Sequence, residues 1–376
     1  MATSPYRSWV EISRSQLAAN YRSVCGVVGP DVEVMPVVKA DAYRHGAVPV
    51  SETLIEQGAR FLAVSNVDEG VQLRDAGIRS RILVMADFLP NARRALLEHE
   101  LTPVLHSLDD VRELEALALQ QDRQIHFHLK IDSGMGRLGT RAEAADIAAV
   151  LGNCPHVRLQ GLMTHFASVT DFSVDQTSGQ ERYFFDLVAT LQQAGIRPTY
   201  LHLSSTGAIA YRRSEAWGSL VRPGHAIYGY VSPSRGSAPP SLLQVKPALA
   251  WKAAVLTVKD IPEGSLVGYG GMFRAAKPMR IAVLAVGYAD GVSHRLGNRG
   301  RVIACGQYAS IIGAVSMDVT TIDVTHCPQI RVGDAVTLLG SEGEVRIDAQ
   351  DIAKIAGTIS YNVLCAISSR VRRVYV

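Results

Sequence analysis

Lys39 closes the apolar run Met35-Pro36-Val37-Val38-Lys39 and is followed by Ala40-Asp41-Ala42-Tyr43. In an extended chain alternate residues share a face, so Met35, Val37 and Lys39 point the same way and the ammonium sits at the end of a buried strand. A lysine kept from water loses part of its preference for the charged form, and the neutral amine is the species that condenses with a carbonyl. Taken alone, such a lysine could as well snorkel to solvent. Other groups of complementary chemistry follow. The loop Asp132-Ser133-Gly134-Met135-Gly136-Arg137-Leu138-Gly139 bends tightly at its glycines and presents Arg137, whose planar fork suits a carboxylate. His165 and Ser204-Ser205-Thr206-Gly207 end two further apolar segments, and Arg222-Pro223-Gly224 lies in a third. Hydroxyls and backbone amides at such strand ends form a phosphate cup, although Ser205 alone could equally cap a helix. A strand-end lysine, a phosphate cup and a central arginine together suggest pyridoxal phosphate held by Lys39 as a Schiff base.

Ahead of the glycine loop, His126, His128, Lys130 and Asp132 share one strand face while Ile125, Phe127, Leu129 and Ile131 share the other. No acidic partner stands at a metal-ligand spacing, so interior hydrogen-bonded histidines are the expectation and no metal is. A second set of residues lies in turns near the C-terminus: Gly268-Tyr269-Gly270, Gly287-Tyr288-Ala289-Asp290-Gly291, Ser316-Met317-Asp318 and Ser360-Tyr361-Asn362. Singly, these are compatible with turn packing.

The elements that must position these groups repeat. Apolar, strand-like segments occur at 34–39, 61–65, 82–85, 102–105, 125–132, 158–166, 200–205 and 220–228, separated by helical patterns. Two helices carry clear starts, Asn66-x-x-Glu69 and Ser107-x-x-Asp110. Eight strands alternating with helices predict a (β/α)8 TIM barrel over residues 13–235, and chemistry in that fold sits at the C-terminal strand ends, where Lys39, Arg137, His165, Ser205 and Arg222 fall. A Ser, Pro and Gly-rich stretch at 232–240 reads as a linker. Residues 236–376 then carry short β-branched segments of a mainly β domain, with one helix capped by Asp348 and ending before Gly357. The strand of residues 9–12 has no slot among the eight, and residues 1–12 are assigned to this second domain.

Composition narrows the function classes. The 376 residues are 47% apolar and 19% charged, which predicts a folded chain of two domains. A balance of 38 Lys and Arg against 35 Asp and Glu offers no electrostatic case for nucleic acid or an anionic membrane. The N-terminal residues show no basic stretch leading into an apolar one, and apolar runs such as Ile281–Val286 are too short to span a bilayer. Five scattered cysteines, Cys25, Cys154, Cys305, Cys327 and Cys365, fit free thiols in a reducing compartment. The expected location is cytoplasmic.

In this order and over the whole chain, Val38-Lys39-Ala40-Asp41-Ala42-Tyr43, Lys130 to Gly139, Thr164-His165-Phe166, Arg222-Pro223-Gly224, Tyr228-Gly229, Gly268-Tyr269-Gly270, Gly287 to Gly291, Met317-Asp318 and Ser360-Tyr361 resemble the alanine racemase family. The resemblance implies a homodimer whose active sites each join one barrel mouth to the β domain of the other chain, acting on a small amino acid. By motif match Lys39 carries the cofactor, pyridoxal 5'-phosphate. Tyr43, Ser205 and Tyr361 bind its phosphate with backbone amides near Gly224 and His225. Arg137 and the Met317 amide hold the substrate carboxylate, and Lys130 matches a lysine that is carbamylated in many members. Racemisation then needs a base on each face of the bound amino acid. Lys39 is expected on one face and Tyr269 on the other, with His165 and Arg222 stabilising the phenolate. Arg222, opposite the ring nitrogen, can only donate.

Several residues depart from the commonest pattern: Asp41, Arg44, Ser204, Gly268, Ser316 and Asn362. They bear on substrate preference more than on reaction type, so a racemase of serine or of broader specificity stays open. Rivals are a barrel-type decarboxylase, a D-amino-acid lyase and a non-catalytic cofactor carrier. The lyase needs a histidine and a cysteine spaced for a metal, whereas His326 and Cys327 are adjacent. The carrier lacks a second domain.

Overall fold

A computed structural model describes residues 6–376. Met1–Pro5, included in the N-terminal reading above, lie outside the described residues. The chain divides into two compact units, one of residues 17–42 and 47–246, the other of residues 6–16, 43–46 and 247–376.

In the first unit the strands are β2 (Glu33–Val34), β3 (Phe61–Val64), β4 (Arg81–Val84), β5 (Thr102–Leu105), β6 (Ile125–Lys130), β7 (Val157–Met163), β8 (Tyr200–His202) and β9 (Leu220–Val221), numbered after β1 (Ser8–Ile12) of the other unit. Strands β3 to β8 form one parallel sheet in sequence order, and β2 pairs with β9. Single bridges close the ring: Val37 joins Ala63 on β3, and Ser205 after β8 joins Arg222 after β9. The eight strands are therefore a closed (β/α)8 barrel. Strands β2 and β9 are shorter than the sequence pattern predicts because Pro36 and Pro223 follow them, and proline has no N–H to give a ladder. Phe61–Val64 and the other central strands are buried on both faces, as parallel strands wrapped by helices must be.

The helices around this barrel are α1 (Arg14–Val28), α2 (Ala47–Glu56), α3 (Val67–Asp75), α4 (Arg93–Glu98), α5 (Leu108–Gln120), α6 (Ala144–Gly152), α7 (Gln176–Gln193) and α8 (Thr206–Ala210). Ser107 and Asp110 make the expected reciprocal cap on α5. Asn66 caps α3 by accepting from the Glu69 amide, but the Glu69 carboxylate is used elsewhere.

The second unit is built on β10 (Leu249–Ile261), a long strand bent by register shifts at 251/252 and 255/257. Its first half pairs with β1 and β17 (Ala335–Glu342), and its second half with β13 (Met279–Leu284). Between these lie the hairpin β11 (Leu266–Val267) and β12 (Phe273–Arg274), then β14 (Arg301–Ala304), β15 (Gln307–Ser310) and β16 (Thr320–Asp323). The chain closes with β18 (Val345–Ile347) and β19 (Arg372–Tyr375), the latter parallel to β1.

Two sequence expectations are corrected here. Instead of one helix near the end there are two, α9 (Ala349–Ala356), capped by Asp348 and stopped by Gly357 at φ 67°, and α10 (Ser360–Ala366). The second escaped notice because Ile359 at its N-cap makes no side-chain cap. The cysteines are not all free thiols: Cys305, in the β14–β15 turn, is joined to Cys327 with 6.2 Å between their Cα atoms. A pairing across 22 residues leaves no spacing signature in the sequence.

Candidate active site

Lys39 is half-buried at the C-terminal rim of the barrel, directly after Val38, whose amide bonds to the Ala63 carbonyl. The five residues after it adopt a left-handed turn, with φ of 54°, 54°, 52°, 53° and 66° from Ala40 to Arg44. None is glycine, and each such residue costs roughly 1–2 kcal/mol, so the surroundings must hold the turn in place. They do so with carboxylates. Glu69 accepts from the Ala40 amide at 2.6 Å and from the Ser65 amide at 2.7 Å, and Asp41 accepts from the Ala47 amide at 2.8 Å. On the other side the buried Tyr228 hydroxyl donates to the Val37 carbonyl at 2.9 Å.

Arg222 is the centre of the rim, 3% exposed. Its guanidinium donates to the carbonyls of His202 (2.6 Å), Thr164 (2.8 Å) and Leu203 (3.2 Å), and to Nδ1 of His202 (3.0 Å) and Nδ1 of His165 (3.4 Å). Because arginine only donates, each contacted Nδ1 is an acceptor and the ring proton lies on Nε2. His202 Nε2 then donates to His128 Nδ1 at 2.8 Å, and His128 Nε2 to Gln160 Oε1 at 3.3 Å. Gln160 can reach because it is the extra residue of a bulge: Phe127 pairs with Leu159 and His128 with Gly161. Gly161 must lack a side chain, since a Cβ there would meet His128 Nδ1 at 2.6 Å.

Burial pushes Arg222 down to about 9, which leaves it a cation at neutral pH. Burial first, then Arg222, Lys130, Arg137 and Lys39, push His165 down to about 3. Burial likewise brings His128 to about 3 and His202 well below the usual imidazole value. Lys130, 5% exposed, is brought to about 8 by burial and then by Arg222, Arg137 and Lys39 against Asp132. A fraction of the Lys130 amines is therefore uncharged near neutral pH. Asp132 stays ionised and offsets this cluster only in part. Its Oδ1 accepts from the amides of Gly134, Met135 and Gly136, of which the Gly136 bond does most to lower its pKa. That nest folds the loop whose exposed Arg137 reaches toward Lys130.

Beside Arg222 on the rim, Ser205 is the half-buried N-cap of α8 with no side-chain capping bond. Thr206, part of the Ser204–Gly207 segment read as a phosphate cup, is 4% exposed and its Oγ1 accepts from the Ala226 amide at 3.1 Å. That bond ties the start of α8 to the Gly224–Ala226 turn. His225 is buried and stacks on Tyr230 with ring centroids 5.1 Å apart. His202 and Gln160 were missed from sequence, because single polar residues on separate strands give no periodic signal. His126, expected inside, is exposed at the strand's start, where the barrel interior opens to water.

The second unit carries the rest. Tyr43 and Tyr361 face each other with centroids 5.9 Å apart, and burial, then Tyr361 and Cys365, push the Tyr43 phenol up. Tyr361 stands in the first turn of α10. Tyr269 lies 77% exposed and Met317 53% exposed. The tight loops there depend on absent side chains: a Cβ on Gly287 would meet the carbonyls of Ser316 and Met317, and one on Gly313 the Val267 carbonyl at 2.7 Å.

Residues 12–233 match the family profile described as alanine racemase, N-terminal domain, and residues 248–375 that described as alanine racemase, C-terminal domain. An alanine racemase of Halothermothrix orenii is 38% identical over 369 residues, covering 98% of this chain and 96% of that protein. The solved alanine racemase of Clostridium difficile 630 superposes with a TM-score of 0.93 at 31% identity, over 99% of this chain and 96% of that one. The alanine racemase of Bartonella henselae, solved with covalently bound pyridoxal phosphate, gives 0.88 at 27% identity, over 99% and 100%. With two profiles that together span nearly the whole chain and relatives of matching length and fold, the chain belongs to the alanine racemase family.

Proposed function

We propose that this chain interconverts L- and D-alanine with pyridoxal 5'-phosphate, using Lys39 and Tyr269 as the two bases. The observation that carries this is the gathering of Lys39, Lys130, Arg137 and Arg222 on one barrel rim, close enough to add to burial in keeping the imidazole of His165 uncharged. A rim so rich in donors and cations suits an anionic cofactor and a carboxylate substrate. Lys39 would hold the cofactor. Tyr43, Ser205 and Tyr361, the amides near Gly224 and His225, and the hydroxyl of Thr206 would hold its phosphate. Pyridoxal phosphate, when bound, supplies an extended π-system that acidifies the α-hydrogen of the amino acid attached to it.

Arg137 and the Met317 amide hold the substrate carboxylate, and a carbamate on Lys130 turns Arg137 toward it. Arg222, which can only donate, would face the cofactor's ring nitrogen as a donor and would give it no proton. Lys39 Nζ removes or returns that proton on one face and the Tyr269 hydroxyl does so on the other. Arg222 fixes His165 with its proton on Nε2, so His165 can donate to a phenolate at Tyr269 while remaining neutral.

Each site takes Lys39 from one chain and Tyr269 from the other in a homodimer. The exposure of Tyr269, Met317 and Tyr288 supports this, since groups that carry proton chemistry need cover from water. No described helix is long and apolar enough to cross a membrane, and a cytoplasmic location is part of the same reading. The test is a racemisation assay with L- and D-alanine beside serine and larger amino acids. Tyr269→Phe should keep the cofactor's visible absorption and lose at least about a hundredfold in turnover. Undiminished turnover in both directions would overturn the two-base assignment.

A further inference from the structure

His106 directly follows β5, and the register of β5 against β6 fixes its neighbour. Val104 pairs with His128 and Leu105 with Leu129, so His106 stands beside Lys130 one strand over. Paired residues of parallel strands project to the same side. His128 points into the barrel, where its ring meets Phe61, Tyr200 and His202, and His106 and Lys130, two residues on, share that inward side.

Both ring nitrogens of His106 are buried, and neither has a hydrogen-bond partner among the described residues. A neutral imidazole has one N–H donor and one acceptor, so a donor is stranded here, which proteins normally avoid. The groups that face the ring relieve it only weakly. Lys130 is a cation, the Asp110 carboxylate already accepts from the amides of His106 and Ser107, and the Met85 carbonyl favours the ring's proton without meeting hydrogen-bond geometry. Burial first and then Lys130 hold the imidazole uncharged, near 4. A stranded donor beside a buried amine that Arg222 and Arg137 also face describes a place for an anion on that amine.

We propose that the ring N–H of His106 donates to the carbamate on Lys130 and so sets how tightly carbon dioxide is held there. This rests on the reading of Lys130 given above. The uncharged Nζ attacks the carbon of carbon dioxide, an N–C bond forms, one C=O electron pair moves to oxygen, and the proton leaves nitrogen for water. His106 transfers nothing. It is a positioning residue that replaces a lost water contact for one carbamate oxygen.

The test uses the cofactor-loaded enzyme and 13C-labelled bicarbonate, reading the carbamate resonance and the bicarbonate concentration that half-fills it. His106→Leu should raise that concentration about tenfold, the worth of one hydrogen bond to a charged group, and His106→Gln, which keeps a donor, should restore it to within about twofold. Equal values in the wild type and the leucine variant would overturn the role of His106 and leave Lys130's in place. Absence of the resonance from the wild type would overturn both. Should the leucine variant fail to fold, the His106 ring resonance of the wild type, assigned with the glutamine variant, must shift as bicarbonate is added; no shift overturns the proposal.

Discussion

Among single residues, Arg222 decides most, because a side chain that can only donate dictates the protons of everything it touches. Its bonds make His202 and His165 acceptors at Nδ1, and the direction then runs unbroken from His202 to His128 to Gln160. Reversing any link would set two donors or two acceptors against each other. The three imidazoles are therefore expected to stay uncharged from pH 5 to 8. The check is NMR of the ring Hε1 shifts, where a titration of His128, His165 or His202 inside that window would contradict the direction of the chain. Because burial lowers all three in the folded chain, the unfolded chain takes up these protons first, so stability falls as the pH drops below about 6.5 and the loss is complete once the folded imidazoles are themselves protonated. Sequence made Lys39, His165 and Arg222 visible at the ends of apolar segments, Arg137 through its glycine-rich loop, and Lys130 through the family resemblance. It left out His202, Gln160 and the situation of His106, since their partners lie on other strands and only the barrel's register brings them close.

At the level of elements, short segments hold unfavourable backbone for the sake of the site. The left-handed turn after Lys39 is the clearest case. The alternating pattern of residues 35–39 predicts the strand, but nothing in Ala40-Asp41-Ala42-Tyr43-Arg44 predicts positive φ, because glycine is absent. The turn is imposed from outside by Glu69, whose spacing from Asn66 suggests only a capping residue. Glu69→Ala would leave the amides of Ala40 and Ser65 without their acceptor, and should cost about 1–3 kcal/mol together with a weaker hold on the cofactor. Urea unfolding and a cofactor titration read the two effects, and an unchanged titration would mean that the turn holds itself. The loop that carries Arg137 has a stricter requirement. At Gly139, φ is 115° and a Cβ would meet Asp132 N at 2.8 Å and Lys130 O at 3.0 Å, all backbone. Gly139→Ala should destabilise by about 2–3 kcal/mol, visible as a lower urea midpoint with little change in slope; a neutral result would show that the loop can move.

For the molecule as a whole, the proposed pairing of chains has a consequence that needs no geometry between the two units. Lys39→Ala and Tyr269→Phe should each be inactive alone. Mixed and allowed to exchange subunits, half the dimers contain one chain of each kind, and one of the two sites in such a dimer has both bases. Activity should return to about a quarter of the wild type; no recovery after exchange would place both bases in one chain. The amino-acid sequence by itself determined the eight-strand alternation, the change to β-branched segments after residue 240, and the order of motifs that ties the chain to its family. These follow from local periodicity and from residues adjacent in the chain, which a linear reading can see. Tertiary structure alone decided the closure of the ring at Val37–Ala63 and Ser205–Arg222, the left-handed turn, the Cys305–Cys327 pair, the second C-terminal helix that carries Tyr361, and the protons along the barrel axis. Each depends on which distant segment arrives beside which, and that is fixed by packing and hydrogen-bond satisfaction across the fold rather than by any neighbour in sequence.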